Sequence, residues 1–213
     1  MIYTGNPRAT TVTTASPQRG FASLGISDGS TVVLVVGGSQ GAKAINRAMI
    51  EMAPKVGKGN GVHYVYVTGE PYFEETRAEL RQKLGSIPNW LHVLPYVHNM
   101  PEVLACTSLI VNRAGASFLA EITALGIPSV LIPSPNVTNN HQEANARQLE
   151  REGAAVVLLE KDLNGTALYE AVQKIIGTEA VRGQMSVASK RLGKRDSAAV
   201  ITSELRRLAG KKS

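Results

Sequence analysis

The sequence predicts an α/β fold, a doubly wound, mostly parallel six-stranded sheet with helices on both faces. Three observations carry this. The first is Val32-Val33-Leu34-Val35-Val36, an unbroken apolar run that suits a central parallel strand covered on both sides. The second is Gly37-Gly38-Ser39-Gln40-Gly41-Ala42-Lys43, a glycine turn that leads into a helical pattern over 42–55. The third is that the same alternation continues to the C-terminal third, with further short apolar strands separated by helical segments.

Taken in order, residues 1–30 are rich in Thr, Ser and Gly and read as an inter-domain linker, with a short helix at 17–24. Residues 31–176 form the α/β domain. After the first helix, Lys58-Gly59-Asn60-Gly61 is a loop and 62–68 a second strand. A charged helix covers 72–84, Pro88-Asn89 breaks the chain, and 91–94 is the third strand. Asn99 and Pro101 open a short helix that ends near Cys106, and 108–112 is the fourth strand. Gly115 turns the chain into a helix over 116–125, which Gly126 and Pro128 stop before a fifth strand at 129–132. A Pro-rich loop leads to a helix over 140–152, ended by Gly153, and to a sixth strand at 154–159. Helices follow at 164–176, 179–192 and 197–208, so that residues 177–213 are a basic helical C-terminus. Ligands of such sheets bind beyond the C-terminal strand ends, which singles out the loops 37–41, 68–71, 95–99, 112–116 and 133–142.

The chain has 213 residues, 43% of them hydrophobic and 19% charged, enough for one large core. No apolar run approaches the roughly 20 residues that span a bilayer. The first seven residues lack a charged and then apolar leader pattern, so no signal peptide is expected. The single cysteine, Cys106, sits among Leu104, Ala105 and Leu109 and reads as a buried thiol. These features fit a reducing cytoplasm. The net charge of +6 is uneven: residues 182–213 hold nine Lys/Arg and two Asp/Glu, which leaves 14 basic and 15 acidic residues elsewhere. Such a tail suits an anionic membrane face or nucleic acid, or is a solvated helix face. It carries no aromatic residue, which argues against stacking on single strands, and no nucleic-acid partner is expected.

The glycine turn aims a helix N-terminus at whatever lies beyond the strand, a ready anion site, although the same residues also make a plain strand-to-helix turn. Gly37-Gly38-Ser39-Gln40-Gly41 does not satisfy G-x-G-x-x-G, which weakens a NAD-dependent oxidoreductase reading. It is not a Walker loop, because the spacing is short and Lys43 is followed by alanine. There is no Asp-x-Asp and no His/Cys cluster with ligand spacing, so no metal is expected at the site. The fourth strand repeats the design with Asn112-Arg113-Ala114-Gly115-Ala116. Phe118, Leu119, Ile122 and Leu125 form the apolar face of the helix behind it. Glu121 has no basic residue three or four positions away. It reads as an acceptor for both hydroxyls of a ribose, or as a solvated carboxylate. Arg113 reads as a phosphate partner or as a cap on the strand end. In the last loop, Asn139 and Gln142 fit a helix cap, while His141, Gln142 and Asn145 suit the hydroxyls of a sugar. His98 also lies at a strand end, and His63 and His92 lie on strands as structural residues.

Together, Thr4-Gly5-Asn6-Pro7, Gly37-Gly38-Ser39-Gln40-Gly41-Ala42, Arg113-Ala114-Gly115-Ala116 with Glu121, and Asn139-Asn140-His141-Gln142-Glu143-Ala144-Asn145-Ala146 resemble the C-terminal half of the MurG family. These are the bacterial N-acetylglucosamine transferases that use UDP-N-acetylglucosamine. The resemblance spans nearly the whole chain in the same order and is strongest to Gram-positive members. It implies a Rossmann-like, donor-binding half of a GT-B glycosyltransferase of family 28 type. It maps Ser39, with Gly38, Gln40 and Gly41, onto the contacts to the UDP diphosphate, and the backbone of Val97 onto the uracil. Glu121 maps onto the ribose, and Ala116, Ser117, Phe118, Leu119 and Ala120 line the nucleotide. His141 and Gln142 map onto the sugar, where some members have a pair of glutamines. Some members carry a phosphate-binding arginine two residues after the Gly-Asn-Pro proline; Ala9 stands there, with Arg8 one earlier, and the role is not carried over.

The resemblance further implies an inverting transfer of N-acetylglucosamine to a lipid-linked muramyl-pentapeptide in peptidoglycan synthesis, forming lipid II. UDP-N-acetylglucosamine is the donor substrate, with no cofactor and no metal. The family's acceptor loops, its base and its membrane-docking patch belong to an N-terminal domain that these residues do not contain, so no catalytic residue is expected in this chain. Transfer would then need the missing half, at the cytoplasmic face of the membrane. The alternative is a non-catalytic UDP-sugar-binding subunit that works with a separate acceptor-domain chain.

Overall fold

A computed structural model describes residues 4–57, 61–137 and 140–210. The loop residues Lys58, Gly59 and Asn60 and the cap candidate Asn139 lie outside them. The helices are α1 (Arg8–Val12), α2 (Pro17–Leu24), α3 (Lys43–Val56), α4 (Phe73–Leu84), α5 (Met100–Ala105), α6 (Ala116–Leu125), α7 (His141–Arg151), α8 (Gly165–Ile176), α9 (Glu179–Leu192) and α10 (Ser197–Ala209). The strands are β1 (Thr31–Val36), β2 (Val62–Val67), β3 (Leu91–Leu94), β4 (Leu109–Asn112), β5 (Ser129–Leu131) and β6 (Ala155–Val157). They form a six-stranded sheet in the order β3-β2-β1-β4-β5-β6, and every pairing is parallel.

β1 lies between β2 and β4 and is buried from Val32 onward. Its side chains alternate between the two faces. Val32, Leu34 and Val36 join one apolar cluster with Ala9, Val12, Phe21, Val103, Leu104, Ile122 and Leu149, which come from α1, α2, α5, α6 and α7. Val33 and Val35 join the other with Ile45, Met49, Met52, Leu80, Leu168, Val172 and Ile175, from α3, α4 and α8. The sheet is therefore the middle of three layers, and both of its faces are dry. That is why β1 reads as a continuous apolar run rather than an alternating one.

The crossovers through α3 and α4 lie on the second face, and those through α5, α6 and α7 on the first. The winding thus reverses between β1 and β4, and their C-terminal ends part around a crevice.

The sixth strand, expected over 154–159, is limited to Ala155–Val157. The chain turns away into a 3-10 turn at Glu160–Asp162. The segment read as a linker carries α1 and α2 on the sheet's first face, with Ala9 and Val12 almost fully buried. α1 also meets α10: Thr10 Oγ1 donates to Arg195 O (2.9 Å) and accepts from Ala198 N (3.1 Å). α8 begins at a side-chain cap, where Asn164 Oδ1 accepts from Thr166 N and Ala167 N at 3.0 Å each.

His63 and His92 face each other near the start of β2 and β3, with Nδ1 and Nε2 3.1 Å apart. Burial and the neighbouring His63 hold His92 below its ordinary pKa. Cys106 is buried, and its thiol donates to Val103 O (3.2 Å). Burial pushes its pKa up to about 11, so the thiolate is scarce at neutral pH. The folded protein should therefore not react with Ellman's reagent at pH 8 within an hour, whereas the chain in denaturant should react at once, as read by absorbance at the thionitrobenzoate band.

Candidate functional site

The crevice between β1 and β4 is built from backbone first. The turn after β1 closes with Gly41 N donating to Gly38 O (3.0 Å). Gly41 has φ +75°, and a Cβ there would meet Thr68 O at 2.1 Å, so only glycine lets the turn lie against the end of β2. Asn46, buried on α3, donates from Nδ2 to the same Thr68 O (3.0 Å) and pins the two loops together. α3 starts after Ala42, and α6 after Gly115. Neither helix has a side-chain cap or an acidic residue in its first turn. Two positive helix ends therefore border one crevice with no protein carboxylate on their first turns, an arrangement that favours an anionic ligand.

A cavity of about 410 Å³ opens here. Val36, Gly38 and Ser39 line it from the β1 end and Val67 from the β2 end. Tyr96, Val97 and Met100 line it from the segment after β3, and Ser117, Phe118 and Glu121 from α6. Arg8 of α1 closes it. The volume lies within the range of small-ligand pockets. The Val97 side chain is buried in the apolar cluster beneath the cavity. Tyr96 is 43% exposed and sits edge-on to His98, ring centroids 5.0 Å apart, which leaves an aromatic surface at the rim.

Glu121 is the chemically unusual group. Its side chain is 2% exposed, and Oε1 accepts from Arg8 Nε at 2.6 Å. Oε2 is buried with no hydrogen-bond partner among the described residues. Burial raises the carboxyl above its ordinary pKa, and the hydrogen bond and charge of Arg8 pull against that. A carboxylate oxygen left unpaired beside a cavity is a costly feature unless a ligand supplies the donor.

Of the residues anticipated from the sequence, Gly38, Ser39, Val97, Ser117, Phe118 and Glu121 are brought to one cavity. Gln40 and Gly41 complete the same turn behind it, and Ala116 and Ala120 share the helix with Glu121. Leu119 turns inward, 7% exposed, and is a core residue. Arg113 is engaged elsewhere. Its guanidinium donates to Ile132 O (3.1 Å) and Pro133 O (3.3 Å) and pairs with Glu160 at 2.6 Å. It therefore ties the ends of β4 and β5 to the turn after β6, which matches the strand-end role. Gln142 is also partly committed, since its Oε1 accepts from Ser134 N (3.0 Å). Asn145 Nδ2 reaches Ala114 O at 3.5 Å. The start of α7 is thus braced against the loops after β4 and β5. His141 and Asn140 stand at this start, beside a second depression of about 650 Å³ lined by Pro133, Ser134, Pro135, Asn140, Glu143, Leu159, Glu160 and Lys161. The first cavity is the stronger candidate, because it lies at the reversal of the sheet and contains the unpaired carboxylate oxygen. His98 is exposed and does not line it.

Sequence reasoning named Arg8 only to set a phosphate role aside, and it missed Tyr96 and Met100. Arg8 and Glu121 are 113 residues apart, so no local spacing signals their pairing. Tyr96 carried a signal, an aromatic residue two positions beyond the C-terminal end of a strand.

The model of the glycosyltransferase family 28 C-terminal domain matches residues 32–201. The UDP-N-acetylglucosamine–N-acetylmuramyl-(pentapeptide) pyrophosphoryl-undecaprenol N-acetylglucosamine transferase of Bacillus licheniformis is 45% identical over 208 residues, covering 98% of this chain and 56% of that protein. The same enzyme of Bacillus subtilis is 47% identical over the same coverage. The chain thus spans about half the length of these curated relatives. The crystal structure of Acinetobacter baumannii MurG superposes with a TM-score of 0.75 at 22% identity, over 93% of this chain and 55% of that one.

The raised pKa of Glu121 has a direction that stability measurements can read. A carboxyl whose folded pKa lies above its unfolded value weakens the fold at neutral pH, and the loss disappears as pH falls below the unfolded value near 4.5. Glu121→Gln should therefore raise the melting temperature of the ligand-free protein at pH 7. The gain should shrink toward zero by about pH 4.5 in calorimetry across that range.

Proposed function

The chain belongs to the glycosyltransferase family 28 C-terminal domain family, and from that premise we propose that its crevice is the donor site of a UDP-N-acetylglucosamine-dependent transferase. The single observation that carries this is the buried Glu121, one oxygen held by Arg8 and the other unpaired beside the cavity. A pair of vicinal ribose hydroxyls supplies the two short donors that such an oxygen lacks. The rest of a nucleoside diphosphate sugar fits around it. The diphosphate lies against Gly38, Ser39 and the start of α3, where backbone amides and the helix dipole offset its charge. The uracil reaches the backbone at Val97, with Tyr96 at the rim. The sugar points toward the start of α7 with His141 and Gln142.

In this reading the reaction is an inverting transfer. The 4-hydroxyl of a lipid-linked muramyl-pentapeptide attacks the anomeric carbon, and UDP departs toward the α3 N-terminus. Charge that develops on the leaving phosphate is met by amides already fixed in place, so no reorganisation is needed. The curated relatives named above are about twice as long as this chain, and binding and deprotonation of the acceptor are assigned to the additional length they have. That half is part of the same polypeptide or a separate acceptor-domain chain. The whole assembly works at the cytoplasmic face of the membrane, where its lipid-linked acceptor is held. No helix among the described residues is long and apolar enough to cross a membrane.

Isothermal titration of the 213-residue chain should give saturable binding of UDP and of UDP-N-acetylglucosamine in the micromolar to low millimolar range, with no transfer to a lipid-linked acceptor by this chain alone. Absence of binding at several millimolar would overturn the reading. Glu121→Ala should weaken UDP by roughly 1–3 kcal/mol, the value of a hydrogen bond to a charged group, while leaving inorganic pyrophosphate unchanged. Equal losses on both ligands would remove the ribose role.

A further inference from the structure

Arg8 stands out because it belongs to no strand-end loop. It comes from α1, in the segment that precedes the sheet, yet it lines the cavity together with Ser39, Tyr96 and Glu121. Its Nε donates to Glu121 Oε1 at 2.6 Å, where the carboxylate is 2% exposed and the arginine 58%. The geometry is one-sided: Oε1 is taken and Oε2 is left buried without a partner among the described residues. A carboxylate held this way cannot rotate about its terminal torsion without giving up the charged hydrogen bond.

The holder is itself held. Arg8 N donates to Asn6 Oδ1 (3.0 Å), and Asn6 Nδ2 reaches Ser117 Oγ (3.4 Å) on the same helix as Glu121. Ala9 and Val12 anchor α1 in the core, and Thr10 ties it to the start of α10. From this we infer that Arg8 is a positioning residue of the donor site, fixing the Glu121 carboxylate so that Oε2 is presented to the ligand's vicinal hydroxyls. The inference rests on the nucleotide reading of the cavity. It gives α1 a function beyond packing: its placement decides whether the ribose acceptor is set.

A second role for the same guanidinium is direct contact with the diphosphate, since Ser39 shares the cavity. The two differ in what they require. Positioning acts through Glu121 and on any ligand with the ribose. Phosphate contact acts without Glu121 and only on ligands with the diphosphate.

Other charged groups near the pair come from the connection between α9 and α10. Arg195 donates to Ala124 O at 2.8 Å, toward the other end of α6, and the Lys194 side chain lies against Gly5. On α6 itself Glu121 is the sole charged residue, and Tyr96 is the other titratable group lining the cavity. Arg8 is thus the cation that contacts the carboxylate.

The test uses Arg8→Gln, Arg8→Lys, Glu121→Gln and the double variant Arg8→Gln/Glu121→Gln, each titrated with uridine, UDP and inorganic pyrophosphate between pH 5 and 8. The expected result is that Arg8→Gln weakens uridine and UDP by the same factor, about tenfold, and leaves pyrophosphate within about twofold. Arg8→Lys, which keeps the charge but not the fork, should recover part of the loss. In the Glu121→Gln background, Arg8→Gln should cost less than about twofold, because the group it positions is gone. Uridine binding to Arg8→Gln should also fall off at a higher pH than in the unsubstituted protein, since the carboxylate loses its cation. A packing defect would not produce that displaced profile, and melting temperatures of both Arg8 variants identify any loss of folding. A loss larger on UDP than on uridine, or one that persists in the Glu121→Gln background, would overturn the inference in favour of phosphate contact. Unchanged uridine binding in Arg8→Gln would overturn it outright. Failure of the unsubstituted chain to bind either uridine or UDP would remove the nucleotide reading, and this inference with it.

Discussion

The constraint on which the rest depends is the reversal of winding between β1 and β4. A right-handed crossover from a parallel strand places its helix on a face set by the direction of travel along the sheet. From β1 the chain moves outward through β2 to β3 with α3 and α4 on one face, then crosses back to β4 and proceeds to β6 with α5, α6 and α7 on the other. Neighbouring strands whose following helices leave on opposite faces cannot close the space between their ends. The crevice is therefore a product of topology, and the glycine turn and the start of α6 border it for that reason.

What the crevice contains follows from two energetic tensions. The ends of α3 and α6 bring partial positive charge without a capping side chain or first-turn carboxylate, so the site is prepared for an anion before any ligand arrives. Glu121 brings the opposite charge into a nearly waterless position a turn further along α6. Its desolvation is only partly offset by Arg8, as the raised pKa records. Both features weaken the empty protein and strengthen a complex with a ligand that is anionic at one end and carries hydroxyl donors at the other. A nucleoside diphosphate sugar has that distribution of groups.

Much of this was legible in the primary structure. Glycine at positions 38 and 41, the apolar run of β1 and the small-residue turn before α6 announce a strand-turn-helix with a ligand edge, because period and backbone freedom are local properties. The same local rules put the loops that carry Ser39 and Glu121 beyond the strand ends, and the resemblance to the MurG family added Ser117 and Phe118 to the expected site. Arg113 was not legible in this way. Whether its guanidinium meets a phosphate or a carboxylate depends on Glu160, which arrives two strands later and reaches it at 2.6 Å. The packing of the first thirty residues was less legible: their polar composition hides the few side chains, Ala9, Val12, Phe21 and Ile26, that bind them to the sheet.

The sequence by itself determined the class of fold, the order of the six strands and the glycine turn at the edge of the crevice, since each is written in residues close together along the chain. Only the tertiary structure decided the state of Glu121. Its burial, its pairing with an arginine 113 residues away and its one unpaired oxygen arise from the packing of α1 against α6. A charge takes its chemical character from its surroundings, and those surroundings are assembled from segments that no local spacing connects.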